Sequence, residues 1–303
     1  MLPLLALHLI DTTLRPVKVD QWKTLQAFYK TTPLPAASVS TTETVENGVR
    51  KVTFTFPSQT GDTVHGILME PVDAKHVPCV LVAHGFSGDK GFINLFAPPL
   101  LSRGIACVAI DAPHHGERST PADKAEIERI LAGFKASPPG LRPTPASERA
   151  LPDLIHSAMH GDVLDSRRTL DYLRTRHEID GKRIGFIAQS MGSMEGVILL
   201  AVEPRIKCAS LEVGGAFGPQ TFEATAPAAL PTSGGLYASH VTVPVLSICA
   251  THDSQMPLSA THALNAALPS TVTTVKWYDA DHWLNDTAHH DAAQWVINHL
   301  SAR

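Results

Sequence analysis

The sequence predicts an α/β domain built on a mostly parallel sheet with helices on both faces. Two observations carry this. Short apolar runs of strand length alternate with segments of helical spacing over most of the 303 residues, and several of the runs end in loops rich in Gly, Ser, His and Asp. A chain of this length can bury its core as one domain.

The elements follow in order. Residues 20–30 place Trp22, Leu25, Phe28 and Tyr29 at helical spacing, which predicts a helix packed on the sheet or over a pocket mouth. Alternation in residues 50–56 and 63–69, joined across Ser58-Gln59-Thr60-Gly61-Asp62, predicts an antiparallel hairpin. Pro78-Cys79-Val80-Leu81-Val82-Ala83 is continuous in apolar character, as a strand buried on both faces should be, and runs into His84-Gly85-Phe86. A helix is expected near 92–103, a strand at 105–110, a long helix near 155–176 and a strand ending near Val213. Further strands are expected over 243–250 and 271–278, with helices near 258–268 and 288–300.

Two stretches break the rhythm. Residues 117–152 hold Pro121, Pro138, Pro139, Pro143, Pro145 and Pro152 around one helix-like piece at 122–134, and residues 214–240 are rich in Gly, Ala, Pro and Thr. Each follows a strand, so each is expected to rise over one end of the sheet as a cap.

Arg183-Ile184-Gly185-Phe186-Ile187-Ala188-Gln189-Ser190-Met191-Gly192-Ser193 ends an apolar strand at a serine between the small residues Ala188 and Gly192, and a helical stretch begins there. A serine that attacks a carbonyl needs this setting: a tight strand-to-helix turn with the hydroxyl exposed. It also needs a base, an acid to orient the base, and oxyanion donors. Asp253 follows the strand at 243–250 and precedes Pro257; His282 follows the strand at 271–278 in Asp279-Ala280-Asp281-His282-Trp283. Ser190, Asp253 and His282 thus follow three strands in the order nucleophile, acid, histidine. The backbone amides of Phe86 and Met191 are the expected oxyanion donors. Ser193 lies a turn into the helix and cannot project from the elbow. His84 is expected to hold its loop by hydrogen bonds, and His289 and His290 to be solvated residues of a helix.

With these residues the chain resembles the α/β-hydrolase superfamily, in its esterase, acetyl esterase and dienelactone-hydrolase branches. The resemblance covers nearly everything after about residue 50. Asp111-Ala112-Pro113-His114-His115-Gly116 is similar to the D-x-P-G-H-G turn of those branches, with His114 where glycine is common. It implies an eight-stranded, mostly parallel sheet with cap insertions after the strands ending near Ile110 and Val213, and residues at the carboxyl ends of strands carrying the chemistry. The expected organisation is an N-terminal helical strap over 1–48 and a hydrolase domain over 49–303.

The activity so implied is that of a serine esterase on small to medium carboxylic esters, needing no cofactor. Lactonase, thioesterase, perhydrolase, amidase or carbon–carbon hydrolase chemistry could run on the same triad, and a non-catalytic binding protein could share the fold. His114, His115 and Glu117, with His156, His160 and Asp162, raise a zinc reading, which sixteen histidines make easy to reach by chance; no metal is expected.

A net charge of −4 with 18% charged residues offers no basic field for nucleic acid. The expected partner is a small ester; composition does not fix the oligomeric state. Cys79, Cys107, Cys208 and Cys249 fall in predicted strands without a C-x-x-C pair, so reduced thiols and a cytoplasmic setting are expected. The start, Met1-Leu2-Pro3-Leu4-Leu5-Ala6-Leu7-His8-Leu9-Ile10, is apolar but lacks a cationic segment and a small-x-small cleavage site, which disfavours export.

Overall fold

The computed structural model describes residues 17, 19–136, 150–216 and 232–301. Among the described residues nine strands form one sheet in the order β1-β2-β3-β5-β4-β6-β7-β8-β9. They are β1 Ser40–Glu46, β2 Val49–Pro57, β3 Thr63–Pro71, β4 Val77–Ala83, β5 Ala106–Ile110, β6 Ile179–Gln189, β7 Ile206–Glu212, β8 Val245–Ala250 and β9 Thr273–Tyr278. The first three and β5 pair antiparallel in sequence, and β5, β4, β6, β7, β8 and β9 pair parallel.

The expectation of eight strands is corrected to nine. The additional strand, β1, lies within residues 1–48, and all seven of its residues, STTETVE, are exposed. Its register on β2, from Ser40↔Thr55 to Glu46↔Val49, rests on backbone hydrogen bonds and a tight turn at Asn47 and Gly48, both at positive φ. Polar residues on both faces leave no alternation to read.

The helices are α1 Val19–Phe28, α2 Ala97–Leu101, α3 Pro121–Ala136, α4 Ala150–Leu173, α5 Met191–Val202, α6 Leu258–Ala267 and α7 Asp286–Ser301. The helix expected at 92–103 is instead a 3-10 turn, Lys90–Leu95, followed by the five-residue α2. Pro98 and Pro99 explain the break: neither donates an amide, so both suit a first turn and not a helix interior. Of the two predicted caps, residues 137–149 and 217–231 lie outside the described residues.

The core has two layers, one on each face of the sheet. On one face Phe54, Leu81, Phe186 and Leu211 pack with Leu25, Leu170 and Leu199 from α1, α4 and α5. On the other, Val80, Val82, Ile187 and Ile248 pack with Phe96, Leu100, Val296 and Leu300. Continuous apolar runs in β4 to β8 follow from this, because both faces are covered. Among the described residues no helix is long and apolar enough to cross a membrane.

Trp22 of α1 stacks flat on His240, with ring centroids 3.6 Å apart, and Tyr29 meets Tyr237 edge-on at 5.7 Å. The N-terminal helix therefore seals the chain just after residue 231 against the body. All four cysteines are buried and free. Burial pushes the Cys107 and Cys208 thiols far up, the latter to about 12, so both are neutral packing groups.

Candidate active site

Sheet order reverses at β4, whose neighbours β5 and β6 continue in opposite directions. Crossing helices leave by opposite faces there, which opens a crevice at the carboxyl ends of the strands. Ser190 follows β6 at that crevice with φ 55 and ψ −115. A non-glycine residue reaches this backbone region only when its surroundings hold it there. Two hydrogen bonds do so: the Ser190 amide donates to the Glu212 carbonyl at 2.8 Å, and the Ser190 carbonyl accepts from Met194 at 3.0 Å. Val213, after β7, is also at positive φ and donates to the Ile248 carbonyl at 2.8 Å.

The structure brings Ser190, His282 and Asp253 together. His282 Nε2 lies 2.8 Å from Ser190 Oγ, and His282 Nδ1 lies 2.9 Å from both Asp253 oxygens. A carboxylate at Nδ1 requires the proton on that nitrogen, leaving Nε2 to accept from the serine hydroxyl. The His282 and Asp253 side chains are only 3% and 2% exposed, so water competes little for these bonds. Asp253 Oδ1 also accepts from the amides of Gln255 and Met256, at 2.9 and 2.7 Å. Asp281, the neighbour of His282, points away and ties the two loops together by accepting from the Ser254 and His282 amides at 2.7 and 2.6 Å.

Met191 opens α5, where a helix leaves amides unpartnered, and Phe86 follows Gly85 at the end of β4. Phe86 and Met191 thus follow the ends of the paired strands β4 and β6. His84 holds the Phe86 loop: its Nε2 accepts from Ala112 at 3.1 Å, which puts the ring proton on Nδ1, 2.8 Å from the Gly85 carbonyl. Ser193 is buried and donates to the carbonyls of Ala188 and Glu212, both at 2.8 Å, so it ties β6, β7 and α5 together.

The turn after β5 confirms the local geometry that its glycine-like position demands. His114 takes φ 69, a strained value for a side chain with a Cβ, held by Asp123 at 3.0 Å and Ser157 at 2.8 Å. Gly116, at φ 54, has room for nothing larger, since an added Cβ would fall 2.3 Å from Asp111. His115 is buried against the Phe86 ring, 5.5 Å between centroids, and donates from Nδ1 to the Pro113 carbonyl. Burial and the nearby His84 push its pKa down to about 4, so it is neutral.

The six residues of the zinc reading are not brought to one place. Glu117 pairs with Lys90 at 2.6 Å, His156 with Thr232, and His160 packs on Tyr29 and Phe28. Among the described residues no group of three His, Cys, Asp or Glu side chains could hold a metal ion.

Comparison with solved structures places the fold. An acetyl xylan esterase from Paenibacillus sp. R4 superposes with a TM-score of 0.69 at 18% identity, over 96% of this chain and 97% of that one. This is the α/β-hydrolase fold. A cold-adapted esterase from an Arctic intertidal metagenomic library superposes at 0.65 with 21% identity, over 86% of this chain and 97% of that one. A putative dienelactone hydrolase from Klebsiella pneumoniae gives 0.61 at 16% identity, over 88% and 99%. No protein-family model and no curated protein sequence matches the chain.

Two features of this hydrolase-fold site were not expected from sequence. His289 is not solvated: it is half-buried in the first turns of α7, with Nδ1 3.1 and 3.0 Å from the two oxygens of the buried Glu212. The apolar stripe of α7 held the signal, since His289 lies three, four and seven residues before the buried Ala292, Ala293 and Val296.

The second is a buried pair of acids under the elbow helix. Glu195 of α5 and Asp162 of α4 are 2% and 4% exposed. Burial, and then the adjacent Asp162, hold Glu195 well above the ordinary glutamate value of 4.5, which favours its protonated form in the fold. Unfolding releases that proton at any pH above the ordinary value. The pair's contribution to stability is therefore fully present below pH 4.5 and is lost as pH rises through the folded value. Glu195→Gln supplies a donor without a titrating proton. Its melting temperature should exceed that of the parent at alkaline pH, with the difference shrinking toward pH 5. Parallel melting curves at all pH values would show that the pair carries no proton into the fold.

Proposed function

We propose that the chain is a serine esterase acting on small to medium carboxylic esters through an acyl-enzyme. The observation that carries this reading is the unbroken chain from Asp253 through His282 to Ser190, at 2.9 and 2.8 Å, ending on a serine held at φ 55. Ser190 Oγ attacks the ester carbonyl while His282 Nε2 takes its proton. Asp253 keeps the imidazole in the tautomer that can accept, and stabilises the cation that forms. The amides of Phe86 and Met191 receive the developing oxyanion. His282 then gives its proton to the leaving alcohol, and water repeats the sequence on the acyl-serine. Esterases among the fold's solved relatives support the reaction class.

Substrate size follows from composition. Residues 117–152 and 214–240 are rich in small residues, with Phe134, Phe217, Phe222 and Tyr237 as their aromatics, which suits a narrow acyl pocket more than a long open groove. A series of nitrophenyl esters, run beside a lactone, a thioester and an anilide, tests both points. Acetyl and propionyl esters should be best, with kcat/KM falling as methylenes that find no room are added. Faster turnover of the anilide or of long-chain esters would overturn the assignment or the pocket, respectively. A fluorophosphonate should label Ser190 in the folded protein; an unlabelled protein would be a binder and not an enzyme.

A further inference from the structure

We propose that Glu212 and His289 are positioning residues for the proposed esterase, a charged clasp that fixes the nucleophile's elbow against the loop carrying His282. The proposal rests on the triad reading above.

Glu212 serves the site twice. It is the last residue of β7, beside the strand that ends at Ser190. Its carbonyl accepts both the Ser190 amide and the Ser193 hydroxyl at 2.8 Å, so this residue ties the strained elbow to β7. Its side chain is fully buried and meets His289 with both oxygens, at 3.1 and 3.0 Å. His289 stands in α7, the helix entered directly from the His282 loop, and its amide donates to the Asn285 carbonyl at 3.3 Å. The Phe96 and Phe92 rings stand edge-on to the imidazole at 5.7 and 6.4 Å and cover part of it. The clasp thus joins a residue that holds Ser190 in place to the segment that follows His282. A charge-assisted hydrogen bond to a buried carboxylate suits this task because it is stronger and more directional than a neutral one.

Burial lowers the pKa of His289, but the hydrogen bond and charge of Glu212, with Asp286 on the same helix and the Leu284 carbonyl, outweigh it and hold the group above the ordinary 6.5. Burial raises Glu212 as well. Since the histidine value is raised, the clasp is at full strength below the ordinary value and weakens as pH rises through the folded one. Deprotonation leaves Nδ1 able to donate to the buried carboxylate but removes the charge that balances it, so the elbow is held less firmly.

The experiment measures kcat and KM separately against pH, with fluorophosphonate labelling of Ser190, for the parent, His289→Ala, Glu212→Gln and the Glu212→Gln/His289→Gln double variant. His289→Ala should lower kcat roughly ten- to hundredfold with little change in KM, as a misplaced reacting group does. Glu212→Gln should lower kcat by a smaller factor and remove the alkaline fall seen in the parent. The double variant, with two amides that can pair without charge, should recover part of what His289→Ala loses. If His289→Ala does not fold, the pH profile of Glu212→Gln decides alone. Profiles of parent and Glu212→Gln that superimpose would overturn the proposal, as would unchanged kcat in His289→Ala. A parent whose Ser190 is not labelled would overturn the esterase reading, and this proposal with it; a labelled parent with indifferent variants overturns the clasp only.

Discussion

Ser190→Ala and His282→Ala should each lower ester turnover by roughly four to six powers of ten in kcat while leaving the melting temperature near that of the parent. The size of the effect comes from the three groups acting as one relay. Without Oγ there is no acyl-enzyme, and without Nε2 the hydroxyl keeps its proton, so either loss leaves only binding and the oxyanion donors. The double variant should be hardly worse than either single one, since the second removal takes away nothing still in use. Asp253→Asn presents an amide to Nδ1 and favours the tautomer with its proton on Nε2, which cannot accept from serine; a loss of about 10⁴ in kcat is expected. Retention of a tenth of the activity by Ser190→Ala would move the nucleophile elsewhere.

Gly192→Ala should be the most damaging substitution that removes no reactive group. An added Cβ would lie 2.7 Å from the His84 carbonyl oxygen and 2.8 Å from that of Ala83, both backbone atoms that cannot swing aside. Alanine gains about 1 kcal/mol of helix propensity over glycine, but overpacking against fixed backbone costs about 1–3 kcal/mol, so a modestly lower melting temperature is expected. The larger effect is on rate. Relief of the clash pushes α5 from the end of β4 and moves Met191 away from Phe86, and a shift near 1 Å in such a pair costs about a hundredfold. Gly192→Val should be worse in both respects. Parent-like kcat in Gly192→Ala would mean that the two amides do not share one oxyanion.

Much of this was legible in the chain because the parallel core writes itself as uninterrupted apolar runs. The strands at 78–83, 105–110 and 243–250 lie close to β4, β5 and β8, and Ser190 and Asp253 each follow such a run, whereas His282 follows β9, TTVKWY, a mostly exposed strand at the end of the sheet. The parts that escaped obey a different physics. β1 is exposed throughout and held by backbone pairing, so no side chain marks it. The helix expected at 92–103 broke where two prolines follow a 3-10 turn. The Glu212–His289 and Glu195–Asp162 pairs combine residues 77 and 33 positions apart in sequence, and only tertiary packing creates their burial. The α7 stripe shows that His289 faces the core, but nothing in the sequence names Glu212 as its partner.

The pairing of β4 with β6 has a consequence for how this site tolerates change. Ser190, Asp253 and His282 follow β6, β8 and β9, which with β7 are neighbours both along the chain and across the sheet. Phe86 comes to the site from the earlier half, through the register of Val77 to Ala83 on β6. The segment closing that loop contains the whole stretch from 117 to 152. Closure entropy grows only with the logarithm of loop length, about 0.6 kcal/mol for each doubling. Changes in the length of that stretch should therefore cost little stability, while the spacing of Ser190 and Phe86 stays fixed by six paired residues of β4 and β6.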